Sequence, residues 1–143
     1  MLALKKAKES EVGMDSVVHF EMPARDMKRV AEFYRAAFDW KMTQMGKEFG
    51  NYLLAVTSPM DKKNMHTKKG AINGGFFKQQ RAGQPPHLVI AVDNLKAAIK
   101  KVKAAGGKID GKEMDIPGIG LFAMVKDTEG NAVGILQPAP MEK

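Results

Sequence analysis

One stretch of this chain occurs twice, and that repetition limits the folds it can adopt. The first copy runs from Val17 to Trp40 (VVHFEMPARDMKRVAEFYRAAFDW) and the second from Pro86 to Gly107 (PHLVIAVDNLKAAIKKVKAAGG). Each opens as a short apolar strand with a histidine near its start, then passes through a polar turn into an amphipathic helix. Setting His87 on His19 places Leu88 on Phe20, Ile90 on Met22, Asn94 on Asp26, Leu95 on Met27, Ala98 on Val30 and Val102 on Tyr34. Identity is low, but the apolar rhythm agrees through both strand and helix. Self-similarity at a fixed offset is the sequence mark of a repeat architecture. Two copies are too few for a solenoid, so they are expected to pair into one closed pseudo-symmetric domain.

The length of 143 residues suits one such core. No apolar run approaches the ~18 residues that span a bilayer, so no membrane association is expected. The N-terminal MLALKKAKESEVG is basic and lacks the apolar region of a secretory signal, which makes the cytoplasm the expected location. There are no cysteines, which excludes disulfides, thiolate metal sites and cysteine nucleophiles. The net charge of +7 comes largely from lysines near the N-terminus, around Lys62, Lys63, Lys68 and Lys69, and on the second helix. There Lys96, Lys100, Lys101 and Lys103 lie away from Leu95, Ala98, Ile99 and Val102, as on a solvated face. No aromatics interleave with them, so the charge does not point to nucleic acid.

In chain order, residues 1–14 read as a lead-in. Val17 to Met22 is a strand that Pro23 ends, and Asp26 caps a helix reaching about Phe38. Met27, Val30, Phe33, Tyr34, Ala37 and Phe38 supply the stripe with which this helix lies on a sheet. Met42 to Met45, Asn51 to Thr57 and Ala71 to Gln80 read as strands, with Ser58 to Gly70 a polar loop in which His66 is solvent-exposed. Arg81 to Pro86 is the linker between modules. The second module repeats the plan: strand His87 to Val92, helix Leu95 to Ala105 stopped by Gly106 and Gly107, edge strand Lys108 to Met114, then strands Leu121 to Lys126 and Ala132 to Gln137 around the turn DTEGN. The expected fold class is α+β. Two paired βαβββ modules, residues 15–80 and 86–138, form a curved mixed sheet around a cleft with the helices outside, and 139–143 is a tail.

That order, with a histidine opening each module, resembles the vicinal oxygen chelate superfamily, which includes glyoxalase I, fosfomycin-resistance proteins, extradiol dioxygenases and bleomycin-binding proteins. The resemblance rests on His19 ahead of Met27, PHLVIAVDNL, the helix exit AAGGKI, and the closing IPGIGLFAMVKDTEGNAVGILQP, and it covers Asp15 to Pro138. It implies a small-molecule ligand and a homodimer. In metal-dependent members a divalent cation is held by the histidines of the first and fifth strands and by carboxylates of the fourth and eighth. His19 and His87 match the histidines. Gly134 and the Gly74–Gly75 pair fall at the carboxylate positions, and glycine cannot ligate a metal. These glycines are expected to leave space in the cleft.

Glu21 follows His19 by two positions, so strand alternation puts both on one face. The ligand-binding residues expected here are His19, Glu21, His87 and Phe122, in a small-molecule binding protein with no catalytic metal and no cofactor. The alternative from another class is a metal-dependent lyase or dioxygenase using His19 and His87 with Glu21 or another carboxylate. A third reading is a partner-binding subunit. Trp40 and Tyr34 are expected to be packing residues, and alternation allows only one of Phe76 and Phe77 to face the cleft.

Overall fold

The computed structural model describes residues 13–140. The first module, β1 (Val17–Ala24), α1 (Met27–Phe38), β2 (Lys41–Gln44), β3 (Leu53–Val56) and β4 (Asn73–Lys78), is followed by β5 (His87–Ala91), α2 (Leu95–Ala104), β6 (Lys108–Ile109), β7 (Met114–Ile116), β8 (Gly120–Lys126) and β9 (Ala132–Pro138). Among the described residues these nine strands form one open mixed sheet ordered β2-β3-β4-β1-β5-β9-β8-β6, with β7 also on β8. Each module pairs its first strand in parallel with its last, β1 with β4 and β5 with β9. The modules join edge to edge through antiparallel β1 and β5. Both expected modules are therefore present, fused through their opening strands. Residues 1–12 of the lead-in and 141–143 of the tail lie outside the described residues.

The helix starts follow from matching caps. Asp26 Oδ1 accepts the Arg29 N–H at 3.0 Å, and Asn94 Oδ1 accepts the Ala97 N–H at 2.9 Å, each satisfying a first-turn donor. Asp39 ends α1 in the left-handed region, its N–H donating to the Arg35 carbonyl and the next N–H, of Trp40, to that of Tyr34. Both helices cover one side of the sheet. Ala24, Ala31, Met42, Leu53, Ala55 and Phe76 form the core under α1, with Phe20, Met22, Met27, Val30, Tyr34 and Trp40 packed on it. Val92, Leu95, Ile99, Ala123, Val125 and Ile135 form the core under α2, joined by Ile90 and Val102. Trp40 stacks on Tyr34 at 4.7 Å, and both are packing residues.

Four local expectations are corrected. Pro23 does not end β1, which continues to Ala24. β5 begins opposite Glu21, so at Pro23 the strand is bounded by β4 alone, and the missing N–H has no β5 partner to lose. Phe33 and Phe38 were assigned to the buried stripe of α1, yet both are more than half exposed and Ala37 is exposed as well. The single edge strand Lys108 to Met114 is broken into β6 and β7, with Gly111 between them at φ +99°. His66 is only partly exposed: it pairs across the loop with Met60, and its Nδ1 is buried.

Candidate functional site

Alternation assigns the polar side chains to the face opposite the helices. Phe20 and Met22 pack toward α1, so His19 and Glu21 project from the other side of β1. Register then brings the second module's histidine to them. His87 pairs directly across from Glu21, and Glu21 pairs on its other side with Gly75. One residue along, His19 is flanked by Asn73 and Val89, and Val89 by Gly134. Two short rows thus cross the junction between modules, one carrying Glu21 and His87 and the other His19.

The side chains close into a polar cluster. His87 Nε2 lies 2.8 Å from Glu21 Oε1, with both side chains largely buried. His19 Nε2 lies 2.8 Å from the hydroxyl of Tyr52, the residue just before β3. Three of the four residues, His19, Glu21 and His87, were expected from sequence. Tyr52 was missed because it reads as part of the apolar run Tyr52 to Val56. Phe77, alternating with the buried Phe76, closes one wall with its ring 5.4 Å from that of His87. Phe122 is buried on the same face, three strands from β1, against Gly134 and Val89.

The electrostatics follow from burial. Desolvation lowers the His19 pKa below its ordinary 6.5; the Glu21 charge opposes this, and His87 adds to it. Burial, then the charge of Glu21, push the Tyr52 hydroxyl well above the usual tyrosine range. Tyr52 therefore keeps its proton, and His19 is neutral at pH 7. The His19 shift carries a stability signature. As pH falls below 6.5, the unfolded chain takes up the imidazole proton while the folded chain resists it. Stability is then lost, until the lowered folded pKa is passed. The His19 contribution is therefore fully present above about 6.5. Urea titrations across this window should show a steeper acid-side decline for the native chain than for His19→Gln; parallel curves would count against it.

The glycines do not leave the space expected of them. Gly74 lies on the helix side, where a Cβ would collide with the ring of Phe20. On the polar face a Cβ on Gly75 would collide with the ring of Tyr52, and one on Gly134 would lie 2.7 Å from Phe122 Cζ. The arrangement is the same in both modules. Tyr52 stands two residues before Leu54, the partner of Gly75, and Phe122 stands two residues before Met124, the partner of Gly134. In each module an aromatic ring leans over the glycine of the last strand.

An apolar groove of about 360 Å³ opens beside the His87 end of the cluster. It is lined by Phe20, Met22, Trp40, Pro86, His87 and Leu88. Phe20 and Met22 place most of it on the helix side, and His87 is the one cluster residue that lines it.

Comparison with known proteins agrees with this architecture. Residues 16–135 match the family model described as the Glyoxalase/Bleomycin resistance protein/Dioxygenase superfamily. The chain belongs to this superfamily. A glyoxylase-like domain-containing protein of Didymella fabae is 31% identical over 120 residues, covering 80% of this chain and 88% of that protein. The Mycobacterium tuberculosis protein CFP32, whose name is that of a glyoxylase, is 37% identical over 71 residues, 48% of this chain. The match spans 27% of CFP32, about a quarter of its length. The anthracycline biosynthesis protein DnrV of Streptomyces peucetius is 25% identical over 131 residues, covering 86% of this chain and 47% of DnrV. Among solved structures, hypothetical protein BH1468 of Bacillus halodurans superposes with a TM-score of 0.65 at 14% identity, over 90% of this chain and 98% of that one. A methylmalonyl-CoA epimerase of Streptomyces coelicolor gives 0.63 at 16% identity, over 90% and 97%. At these identities the superpositions show the shared fold.

The metal that the superfamily resemblance implies can be tested against the residues present. They do not complete its set. The two carboxylate positions are glycines covered by Tyr52 and Phe122. Each histidine directs Nε2 at a protein partner, His19 at Tyr52 and His87 at Glu21. Among the described residues no group of three His, Cys, Asp or Glu is arranged to hold a metal ion. What this donor set can do is exchange hydrogen bonds with a ligand, inside aromatic walls.

Proposed function

We propose that this protein binds a small molecule on the polar face of its sheet, over His19, Glu21 and His87, without a catalytic metal. One observation carries the reading: the space around the two histidines is completed by aromatic rings rather than carboxylates, at matched positions in both modules. An apolar cleft with a few converging polar groups is the usual form of a small-molecule site. Phe122 belongs to its wall. The lyase and dioxygenase reading, with Glu21 as the third ligand, is disfavoured because His87 Nε2 and Glu21 face each other and His19 Nε2 faces Tyr52. We take the protein to be cytoplasmic and a homodimer, since closed symmetry is the rule among oligomers. The exposed Phe33, Phe38 and Leu88 on the helix side give such contact apolar area. Among the described residues no helix is long and apolar enough to cross a membrane.

A thermal-shift screen against a panel of aromatic and heterocyclic metabolites tests the binding reading. A ligand at 100 times its Kd adds about 2.7 kcal/mol of stability, which is readily seen. His19→Ala and His87→Ala should each weaken the response to any hit. Full response in both variants would place the ligand elsewhere.

A further inference from the structure

The internal repeat shows what this fold requires of a helix surface. The offset that sets His87 on His19 sets Lys101 on Phe33, Gly106 on Phe38 and Lys108 on Trp40. Lys101 is exposed on α2 as Phe33 is on α1. The second module therefore fills these positions with residues suited to water. In the first they are aromatic, and Phe33 and Phe38 are each 56% exposed. Packing within the chain does not require that choice, since the equivalent helix is built without it. An exposed apolar patch of this kind marks a surface that something covers.

The patch is continuous. Phe33 lies 6.2 Å from Phe38, Phe38 6.0 Å from Trp40, and Trp40 5.7 Å from Phe20, ring centre to ring centre. Phe20 and Trp40 line the apolar groove, whose other wall includes Pro86 and the half-exposed Leu88. One face thus carries projecting rings beside an apolar groove. A surface with both parts is self-complementary, which is what an isologous two-fold contact needs.

Charge and size agree with a second copy as the occupant. From its N-cap Asp26 to its C-cap Asp39, α1 carries Lys28, Arg29 and Arg35 against Asp26, Glu32 and Asp39, so its charges cancel within a chain of net +7. α2 has Lys96, Lys100, Lys101 and Lys103 and no acid, so two copies of that helix would repel. A standard interface buries about 800 Å² per partner, about 65% of it apolar in homodimers. With aromatic side chains offering roughly 200 Å² each, the two rings and Leu88 reach about half of that apolar share. The exposed Ala36 and Ala37 and the groove walls extend it.

We propose that α1 and the adjoining groove form a two-fold interface between copies of this chain, in which Phe33 and Phe38 of each copy seat in the other's groove against Trp40. The proposal rests on the homodimer reading above and names the surface that makes the dimer. The contact lies on the helix side, so it leaves the face of His19 and Glu21 open to a ligand.

Trp40 is the only tryptophan in the chain, so its emission reports on the groove. Light scattering and Trp40 fluorescence, both followed on dilution, test the proposal. The native chain should be a dimer at tens of micromolar, and Trp40 emission should shift to the red over the same range in which the mass halves. Phe33→Lys, which installs the residue of the second module, and Leu88→Lys, on the groove's other wall, should each raise the dimer dissociation constant at least tenfold. Either variant decides alone if the other fails to fold. Ile119→Lys places the same charge on a similarly exposed residue at the other end of the sheet, and should leave the constant unchanged. A native dimer that Phe33→Lys and Leu88→Lys do not weaken, that Ile119→Lys weakens as much, or whose dissociation leaves Trp40 emission unchanged would overturn the proposal while leaving the dimer reading intact. A monomeric native chain at tens of micromolar would overturn both.

Discussion

Phe76→Ala should lower the unfolding free energy by about 3–5 kcal/mol, as removal of a buried phenylalanine does. Phe76 is 1% exposed, and its strand is held on both sides, with Met22 of β1 and Leu53 of β3 as direct partners. Its ring packs 5.2 Å from that of Tyr34. Several neighbours in the core beneath α1 are already small: Ala24, Ala31 and Ala55 cannot reach into the vacated volume. The cavity should therefore persist, which argues for the upper part of the range. Urea denaturation should show a lower midpoint at unchanged slope. A loss below about 1 kcal/mol would mean that the α1 core is misassigned.

Leu95→Ala should cost about 2–5 kcal/mol through the other module. Leu95 opens α2 and is 1% exposed, in a core with Val92, Ile99, Val125 and Ile135. Its N–H donates to Gln137 Oε1 at 2.9 Å, which ties the helix start to β9. That bond survives the substitution, and alanine has the highest helix propensity. The loss therefore measures packing alone. Because β1 and β5 pair across the module boundary, both variants should unfold in a single transition. Two separated transitions, or an exposed Leu95, would contradict the joined-module fold.

Much of this fold is legible in the sequence because two periods are written there together. Strand alternation separates Phe20 and Met22 from His19 and Glu21, and the matching caps Asp26 and Asn94 fix where each helix begins. The pairing of His87 with Glu21 follows once the two copies are joined at their opening strands. Tyr52 was not legible, because its role is tertiary. A glycine reads as a vacancy in a linear chain, yet Gly75 and Gly134 are filled by rings projecting from the neighbouring strand. The matched spacing of Tyr52 and Phe122 ahead of the glycines' partners was the available signal, and it requires the β3–β4 and β8–β9 registers to interpret. The apolar stripe of α1 overstated burial for a related reason. It is wider than the sheet surface it covers, so Phe33 and Phe38 remain outside.

The central claim is that His19 and His87 share a ligand-binding face with Tyr52 and Glu21 and do not hold a catalytic metal. Elemental analysis of protein purified without chelator, and dialysed against Zn²⁺, Ni²⁺, Mn²⁺ or Fe²⁺ in turn, tests it most directly. The expected result is metal well below one equivalent per chain, unchanged in His19→Ala and His87→Ala. One equivalent of a divalent metal, lost in His87→Ala, would contradict the account.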